Sequence, residues 1–344
     1  MIDKGGRGII SFVIVTYNSE DYIDACLQSI QKEMSDQKHE IIIIDNASPR
    51  RLPDLDSKYS NVTLIRNRLN RGFAVANNMG IEAAKGNILW LLNPDTILVE
   101  GCANQAMICF KDPDVGIVGN RLINPDGSLQ KSVFANVSLL NELVKALALP
   151  GLAMSVLNRF PRFKKRIEKV RGCHQDFSDL HGPAFVPMVI GASMIVKRMM
   201  IDEIGLFDAR YFMYLEEADL CFRAHKFGWR VLYCPESTVI HYGGHATWNM
   251  AGSLYIEQFK SLLLFFSLYY RPWHVLACRA VLLLAATLRI FLIPTPLYNR
   301  ELGMGAYQTD KRAIKFSRKN AFISYLKLIL LAFTPIPVKA DSPS

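Results

Sequence analysis

Residues 72–95, GFAVANNMGIEAAKGNILWLLNPD, decide the fold class of this 344-residue chain. The first part of the stretch predicts a helix that Gly86 stops. The run ILWLL that follows is apolar without polar alternation, which is typical of a strand buried on both faces of a parallel sheet. The strand leads directly into Asn93-Pro94-Asp95, where Pro94 stiffens the turn. A helix followed at once by a buried strand predicts an α/β domain.

The segments before residue 72 repeat this alternation. IISFVIV at 9–15 predicts a buried strand, the residues from 19 to 33 predict a helix with one apolar face, and EIIIID at 40–45 and VTLIRN at 62–67 predict further strands. Short links between such elements indicate a largely parallel sheet, whose ligands bind at the carboxyl ends of the strands. The polar residues that follow these strands and ILWLL are Thr16, Tyr17, Asn18, Asp45, Asn93 and Asp95.

The segments after residue 95 predict three more strands. GIVGNRLINPDGSLQ at 116–130 predicts a strand and a hairpin that turns at Asn124-Pro125-Asp126-Gly127. VIGASMIVKR at 189–198 predicts the second strand, and WRVLYCPESTVIH at 229–241 predicts the third.

An acidic cluster stands at the head of a helical pattern in FDARYFMYLEEADLCFRAHKFGW and comprises Glu216, Glu217 and Asp219. Acids at the start of a helix interact favourably with the helix dipole, which is the structural interpretation. The functional interpretation is that a carboxylate kept as its anion serves as a general base. The position alone leaves both interpretations open.

Asp95 is a candidate ligand of a hard cation, and His241 is a candidate ligand of a metal or a phosphate. The buried strand delivers Asp95 rigidly to the sheet edge, and Mg²⁺ or Mn²⁺ prefers oxygen ligands and also binds diphosphate oxygens. A metal there would neutralise a leaving nucleoside diphosphate. The alternatives are a helix-capping aspartate and a buried structural histidine. After the second predicted strand, Asp45 would accept hydrogen bonds from a nucleobase or ribose.

The chain changes character after Gly252. Apolar helical segments are predicted at 253–270, 273–294 and 322–338, and from Arg271 on eleven Lys and Arg face three acids. The second segment is about long enough to cross a bilayer, but Arg279 and Arg289 fall inside it, where a charge is costly. We therefore expect helices lying in an anionic membrane surface, with these arginines reaching to headgroups. Packing on the rest of the chain or on another subunit of a homo-oligomer is the alternative, and the apolar runs argue against nucleic acid.

The seven cysteines are scattered, odd in number and without a CxxC pair, which indicates reduced thiols in a cytosolic compartment. The apolar run near the N-terminus is short and ends in a polar loop, unlike a signal peptide. We therefore expect a peripheral protein on the cytoplasmic side of the cell membrane.

Six stretches, taken in order, resemble the family 2 glycosyltransferases with a GT-A fold, especially the rhamnosyltransferase-like branch. They are VIVTYNSEDYIDACLQSI, IIIIDNAS, NRGFAVANNMGIEAAKG, ILWLLNPD, GASMIVKR and FDARYFMYLEEADLCFRAHKFGWRVLYCPESTVIHYGG, and they cover roughly residues 9–245. The resemblance implies a GT-A nucleotide-sugar-binding domain with a largely parallel central sheet over residues 1–250. We expect the basic stretch at 135–180 to be a mobile insertion and residues 251–344 to form membrane-associating or oligomerising amphipathic helices.

The resemblance also implies roles for particular residues. Asn93-Pro94-Asp95 stands where many relatives have Asp-x-Asp, so Asp95 becomes the ligand of Mg²⁺ or Mn²⁺, and Asn93 removes one charge from the motif. His241 matches the family's strand-end histidine. Glu217 stands where the family usually has an aspartate base, and Glu216 and Asp219 are the alternative candidates. The implied nucleotide-sugar site comprises Thr16, Tyr17, Asn18, Asp45, Asn46, Gly72, Phe73, Asn77 and Asn93.

The implied reaction is an inverting sugar transfer, in which Glu217 deprotonates an acceptor hydroxyl that attacks the anomeric carbon opposite the diphosphate. The resemblance implies dTDP-rhamnose as the donor, with a UDP-hexose as the alternative. The apolar tail suggests a polyprenyl-diphosphate-linked saccharide as the acceptor, in polysaccharide, O-antigen or cell-wall synthesis. A non-catalytic nucleotide-sugar-binding scaffold is a rival interpretation. A dinucleotide-dependent oxidoreductase would need GxGxxG after the first strand, where TYNSE stands.

Overall fold

The computed structural model describes residues 9–139, 180–243, 251–293 and 318–335, which form two compact units. The insertion predicted at 135–180 lies almost entirely outside the described residues. The strands of the first unit are β1 (Ile10–Thr16), β2 (His39–Asp45), β3 (Val62–Arg66), β4 (Ile88–Leu92), β5 (Thr96–Leu98), β6 (Val115–Ile123), β7 (Leu129–Gln130), β8 (Val133–Phe134), β9 (Ala184–Phe185), β10 (Met188–Val189), β11 (Ser193–Lys197) and β12 (Arg230–His241). Its helices are α1 (Glu20–Glu33), α2 (Leu55–Lys58), α3 (Phe73–Ala83), α4 (Cys102–Cys109), α5 (Arg198–Ile204) and α6 (Glu216–Lys226). The second unit contains α7 (Ala251–Tyr269), α8 (Pro272–Leu292) and α9 (Arg318–Leu331).

The main sheet has the strand order β3-β2-β1-β4-β11-β6-β12-β5. β1 is parallel to β2 and β4, β2 to β3, and β6 to β12, whereas β11 is antiparallel to both of its neighbours. The expected α/β class with a mostly parallel central sheet is thereby confirmed. Because β11 is the one reversed strand between β4 and β6, strands β1, β2, β4, β6 and β12 all end at the same edge of the sheet.

The centre of the sheet is apolar on both faces, as the unbroken apolar runs predicted. Phe12 of β1 stacks on Trp90 of β4 with ring centroids 5.2 Å apart. Helix α3 packs directly on β1, because a Cβ atom at Gly80 would lie only 2.3 Å from Val13 Cγ1. This close packing fixes the position of α3 relative to the carboxyl edge of β1.

The prediction that Gly86 stops helix α3 is wrong. The helix ends at Ala83, and Gly86 lies in the link to β4, where a Cβ atom would be 2.4 Å from the carbonyl oxygen of Ile9. The N–H of Gly86 donates to Ser11 Oγ at 2.7 Å. Glycine is therefore needed for the close approach of this link to β1.

The hairpin after β6 is confirmed. β6 pairs antiparallel with β7, and the N–H of Gly127 closes the turn onto the Asn124 carbonyl at 2.9 Å. The strand predicted at 189–198 is instead interrupted. Met188–Val189 pairs with β8, and only Ser193–Lys197 enters the main sheet, because the N–H of Ile190 is bonded to the Ser132 carbonyl at 3.0 Å.

Arg279 of α8 has a role that the sequence did not predict. Its Nη1 donates to the Ala332 carbonyl at 2.6 Å and its Nη2 to the Thr334 carbonyl at 2.7 Å, at the end of α9. The arginine thus satisfies carbonyls that a helix end leaves without partners. Two of the five N–H groups of Arg279 are therefore directed to the end of α9, and its contact with headgroups stays a prediction.

Helices α8 and α9 nevertheless expose apolar faces. On length and composition, residues 272–291 of α8 are sufficient to cross a bilayer, with a mean hydropathy of 1.8 and 22% of that window buried. Helical spacing puts the exposed apolar side chains of each helix on one face. They are Trp273, Leu276, Leu284 and Phe291 on α8 and Phe322, Ile323, Leu326 and Leu330 on α9.

Candidate active site

The carboxyl edge of the sheet gathers the strand-end residues that the sequence predicted. Thr16 and Asp45 are paired across β1 and β2. Each strand continues into a loop with a non-glycine residue in the left-handed region, Asn18 with φ 54° and Ala47 with φ 65°. Such backbone costs energy outside glycine and clusters at ligand sites. The structure therefore brings the two predicted nucleotide loops together.

Asp45 orders both of these loops. Its Oδ1 accepts a hydrogen bond from the Ser48 N–H at 2.9 Å, and Ser48 Oγ accepts one from the Asn18 N–H at 3.1 Å. Tyr17, which lies between Thr16 and Asn18 in the first loop, is half-buried. The Thr16 side chain is fully buried, and its hydroxyl has no hydrogen-bond partner among the described residues. Thr16 thus contributes through the backbone of the loop rather than through an accessible hydroxyl.

Loop 67–72 is shaped by Asn46 and Gly72. The Asn46 amide donates to the Gly72 carbonyl at 3.2 Å and accepts from the Arg71 N–H at 3.0 Å. Gly72 has φ 82°, and a Cβ atom there would lie 2.3 Å from the Phe212 carbonyl oxygen, to which the Phe73 N–H donates at 2.7 Å. Both residues therefore position the loop that leads into α3.

Phe73 and Asn77 lie in the first turns of α3. Asn77 is buried, and its side chain donates to the Phe73 carbonyl one turn earlier at 3.0 Å. Asn78, which the sequence analysis missed, bonds the backbone of Phe207 with both ends of its amide, at 2.8 and 3.0 Å. These contacts tie α3 to the segment that precedes the acidic helix.

Asp95 and His241 meet because the chain passes from β4 through Asp95 into β5, which pairs with the end of β12. Thr96 lies opposite His241 in that pairing. Asp95 Oδ1 is 3.4 Å from His241 Nε2, and Asn93 Nδ2 is 3.3 Å from the same nitrogen. Both predicted metal ligands are nearly buried, with 8% of Asp95 and 7% of His241 exposed. The structure thus brings together the two predicted metal ligands and Asn93, which was predicted in the nucleotide-sugar site. We refer to these three residues as the predicted metal end of the site.

The three acids of α6 have different environments. Glu216 is buried, and burial, together with the charge of Glu217, holds its pKa well above the usual value of a glutamate. Burial keeps this carboxyl away from an acceptor hydroxyl, and its raised pKa disfavours the anion that a base needs. Asp219 is fully buried, and its Oδ2 accepts from Arg223 Nε at 2.8 Å. This ion pair gives Asp219 a structural role in α6, since Arg223 also donates to the Ile204 carbonyl at 2.8 Å.

Glu217 is the partly exposed acid of the cluster. Gly191 lies beside it, since a Cβ atom at Gly191 would be 4.0 Å from Glu217 Cβ and 3.4 Å from the Phe73 ring. The next residue, Ala192, accepts a hydrogen bond from the Asn93 N–H at 2.9 Å. Through these neighbours Glu217 lies at the same edge of the sheet as the metal end of the site.

Backbone strain marks the start of α6. Tyr214 and Leu215, directly before Glu216, have φ values of 70° and 68°. Among the described non-glycine residues, only these two, Asn18 and Ala47 have positive φ. Side chains at such positions are held there by the surrounding structure, frequently at functional sites. No sequence pattern indicates this strain, because neither residue is a glycine or an asparagine.

Comparison with known proteins agrees with this geometry. Residues 11–204 match the family described as Glycosyl transferase family 2. The chain is 25% identical over 280 residues to N-acetylglucosaminyl-diphospho-decaprenol L-rhamnosyltransferase of Mycobacterium tuberculosis, covering 77% of this chain and 86% of the relative. It is 24% identical over 245 residues to rhamnosyltransferase WbbL of Escherichia coli, covering 69% of this chain and 84% of the relative.

Among solved structures, the mannosyltransferase PcManGT of Pyrobaculum calidifontis, in complex with GDP-Man and Mn²⁺, superimposes with a TM-score of 0.53. The two proteins are 14% identical, and the match covers 96% of this chain and 89% of that chain. This likeness supports the GT-A fold. Because the family match extends over more than half of the sequence, the chain belongs to glycosyl transferase family 2 and has rhamnosyltransferases among its relatives.

Proposed function

We propose that this protein transfers rhamnose from dTDP-rhamnose to a lipid-linked saccharide with inversion at the anomeric carbon. The observation that carries the proposal is the 3.4 Å approach of Asp95 Oδ1 to His241 Nε2 at the carboxyl edge of the sheet. Ligands of such sheets bind at this edge. Glu217 at the same edge supplies the second carboxylate that the reaction needs.

The residues at the metal end of the site fit a hard divalent cation. A carboxylate oxygen and an imidazole nitrogen that are nearly buried and face each other favour a cation beside them. Among the described residues no third His, Cys, Asp or Glu joins this pair, so the other ligands would be diphosphate oxygens and water. Asp95 and His241 would hold Mg²⁺ or Mn²⁺, which when bound would offset charge on the leaving diphosphate. PcManGT in complex with Mn²⁺ and a nucleotide sugar supports this assignment by analogy of fold.

Glu217 is the proposed general base. It takes the proton of the acceptor hydroxyl as the oxygen forms a bond to the anomeric carbon and the bond to the diphosphate breaks. A single displacement of this kind inverts the configuration at that carbon. The burial of Glu216 and the ion pair of Asp219 favour Glu217 among the three acids.

The donor and the acceptor are inferred from relatives. The relatives of M. tuberculosis and E. coli are both rhamnosyltransferases, and the name of the first gives N-acetylglucosaminyl-diphospho-decaprenol as its acceptor. For this chain we propose the same kind of acceptor, a sugar that is linked through diphosphate to a polyprenol. The process would be polysaccharide, O-antigen or cell-wall synthesis. A UDP-hexose is the alternative donor.

The second unit is proposed to bind an anionic membrane surface on the cytoplasmic side. The exposed apolar faces of α8 and α9 would enter the interface, and basic residues of the tail would contact lipid headgroups. A peripheral location of this kind would keep the enzyme beside a lipid-linked acceptor. An interface between subunits is the alternative use of the same faces.

The direct test is a thermal-shift screen of the full chain against nucleotide sugars with Mn²⁺ or Mg²⁺. We expect dTDP-rhamnose to raise the melting temperature most, by an amount set by ligand concentration relative to Kd. A larger increase in melting temperature with a UDP-hexose would identify that nucleotide sugar as the donor instead. No shift with any nucleotide sugar would contradict the proposal, whereas binding without transfer would favour the scaffold.

A further inference from the structure

The Nδ1 side of His241 is held by a residue outside the predicted site. Gln130, at the end of the β6–β7 hairpin, places its Oε1 2.9 Å from His241 Nδ1. Gln130 is 2% exposed, so water does not compete for this contact. The hairpin reaches His241 because β6 and β12 are parallel neighbours that end at the same edge.

The orientation of the Gln130 amide is fixed by its other partners. Its nitrogen lies 2.6 Å from the backbone carbonyl oxygen of His241 and 2.6 Å from Asn124 Oδ1. A carbonyl oxygen can only accept, so the atom of Gln130 beside it must be the NH₂ group. The oxygen of the Gln130 amide therefore faces the imidazole, and Nδ1 must carry the proton that it accepts.

We propose that Gln130 is a positioning residue that fixes the tautomer of His241, protonated at Nδ1, and so turns the Nε2 lone pair toward Asp95 and Asn93. The role rests on the metal site of the proposed function. A metal-binding histidine needs its other ring nitrogen held by an acceptor, which fixes the ring and raises its basicity. The lone pair of Nε2 accepts from Asn93 Nδ2 at 3.3 Å and faces the carboxylate of Asp95.

Asn124 supports Gln130 from the turn. Its Oδ1 accepts from Gln130, and its Nδ2 donates to Ser128 Oγ at 2.8 Å, which holds the amide in this orientation. The Asn-Pro-Asp-Gly turn thus serves the histidine in addition to joining two strands. This gives the short strand β7 a reason to carry a buried glutamine where an apolar residue would pack more favourably.

The first test is the tautomer itself, measured by ¹⁵N NMR of the imidazole ring in metal-free protein. We expect His241 to be protonated at Nδ1 in the wild type and in Leu129→Ala, the control from the same strand. Gln130→Leu, which removes the acceptor, should lose this preference, and Gln130→Glu, which keeps an acceptor, should retain it. A wild-type His241 protonated at Nε2 would overturn the proposal.

The second test is Mn²⁺ affinity in the presence of a nucleoside diphosphate, measured by calorimetry. Gln130→Leu should weaken Mn²⁺ binding by about 10–100-fold, as loss of an outer-shell partner does. Gln130→Glu should recover most of that loss, although it lacks the two donor bonds that anchor the hairpin. Equal losses in both variants would mean that Gln130 only anchors the hairpin, which would overturn the positioning role. If the wild type binds no Mn²⁺, the metal site of the proposed function fails, and the tautomer measurement still decides the role of Gln130.

Discussion

Replacing Asp95 by asparagine should have opposite effects on the stability of the protein and on its activity. Asn keeps the shape of the side chain at a nearly buried position. In the metal-free protein the new amide can donate to His241 Nε2, which now faces a carboxylate oxygen at 3.4 Å. A hydrogen bond of this kind contributes about 1 kcal/mol, which raises the melting temperature by about 1–2 °C in a protein of 344 residues.

The activity of Asp95→Asn should fall, because the site loses the carboxylate that is proposed to hold the metal. Two unit charges 4 Å apart interact by about 4 kcal/mol at an effective dielectric constant of 20. Asp95→Asn loses this attraction but also avoids the cost of desolvating a carboxylate, which offsets part of the loss. We therefore expect kcat/KM to fall by about 10²- to 10³-fold.

The assay is kcat/KM for sugar transfer as a function of Mn²⁺ concentration, with melting temperatures recorded in a chelator. Asp56→Asn, which removes an exposed carboxylate from α2, is the matched control and should change neither quantity. Near-normal, metal-dependent turnover of Asp95→Asn would remove this residue from the metal site. A large fall in melting temperature would show that the carboxylate is structural.

Other variants test the remaining parts of the account. Glu217→Gln should bind the donor normally and transfer the sugar at least about 10²-fold more slowly, as expected for a lost base, and normal turnover in stopped assays would refute the assignment. Burial raises the pKa of Glu216, so the contribution of this residue to stability is complete below the unfolded-state pKa and lost as pH rises through the folded-state pKa. In urea denaturation, Glu216→Gln should therefore be as stable as the wild type at about pH 4 and more stable than the wild type at about pH 8. Gly72→Ala should lower the free energy of unfolding by about 1–3 kcal/mol more than Gly101→Ala does, because Gly101 has the same φ of 82° but open space around it. Equal losses of stability in urea denaturation would exclude the clash with Phe212. Phe291→Ser should weaken sedimentation with anionic liposomes by about tenfold without lowering the melting temperature, since inserting a phenylalanine contributes about 1.5–3 kcal/mol, and unchanged sedimentation would favour a subunit interface.

The sequence predicted the strand ends well, because buried parallel strands carry a simple apolar signal. The run that ends at Asp45 and the run that leads to Asp95 were both located from composition and period alone. Their polar neighbours then had to lie at one edge, since parallel strands end together. The pairing of Asp95 with His241 depended on the resemblance to a family, because the two residues are far apart in the chain.

Local patterns failed where a role depends on a contact distant in the sequence. Gly86 looked like a helix stop, but the backbone of Ile9 lies against it. Arg279 was predicted to contact headgroups, and its bonds to the carbonyls at the end of α9 had no sequence signal. Gln130 carried no signal beyond its place after a turn, because its partner is a residue on a strand more than one hundred positions later. Such contacts follow from strand register and from the packing of helices on one another, which local sequence patterns do not specify.

The most direct test of the central claim is transfer of a sugar to a lipid-linked acceptor. The full chain would be incubated with dTDP-rhamnose, Mn²⁺ and a short-chain N-acetylglucosaminyl-diphospho-polyprenol, and the lipid product would be analysed by mass spectrometry. We predict that the acceptor gains one deoxyhexose and that Glu217→Gln forms this product much more slowly. An unmodified acceptor in the presence of a bound nucleotide sugar would contradict the account and leave a binding protein in place of an enzyme.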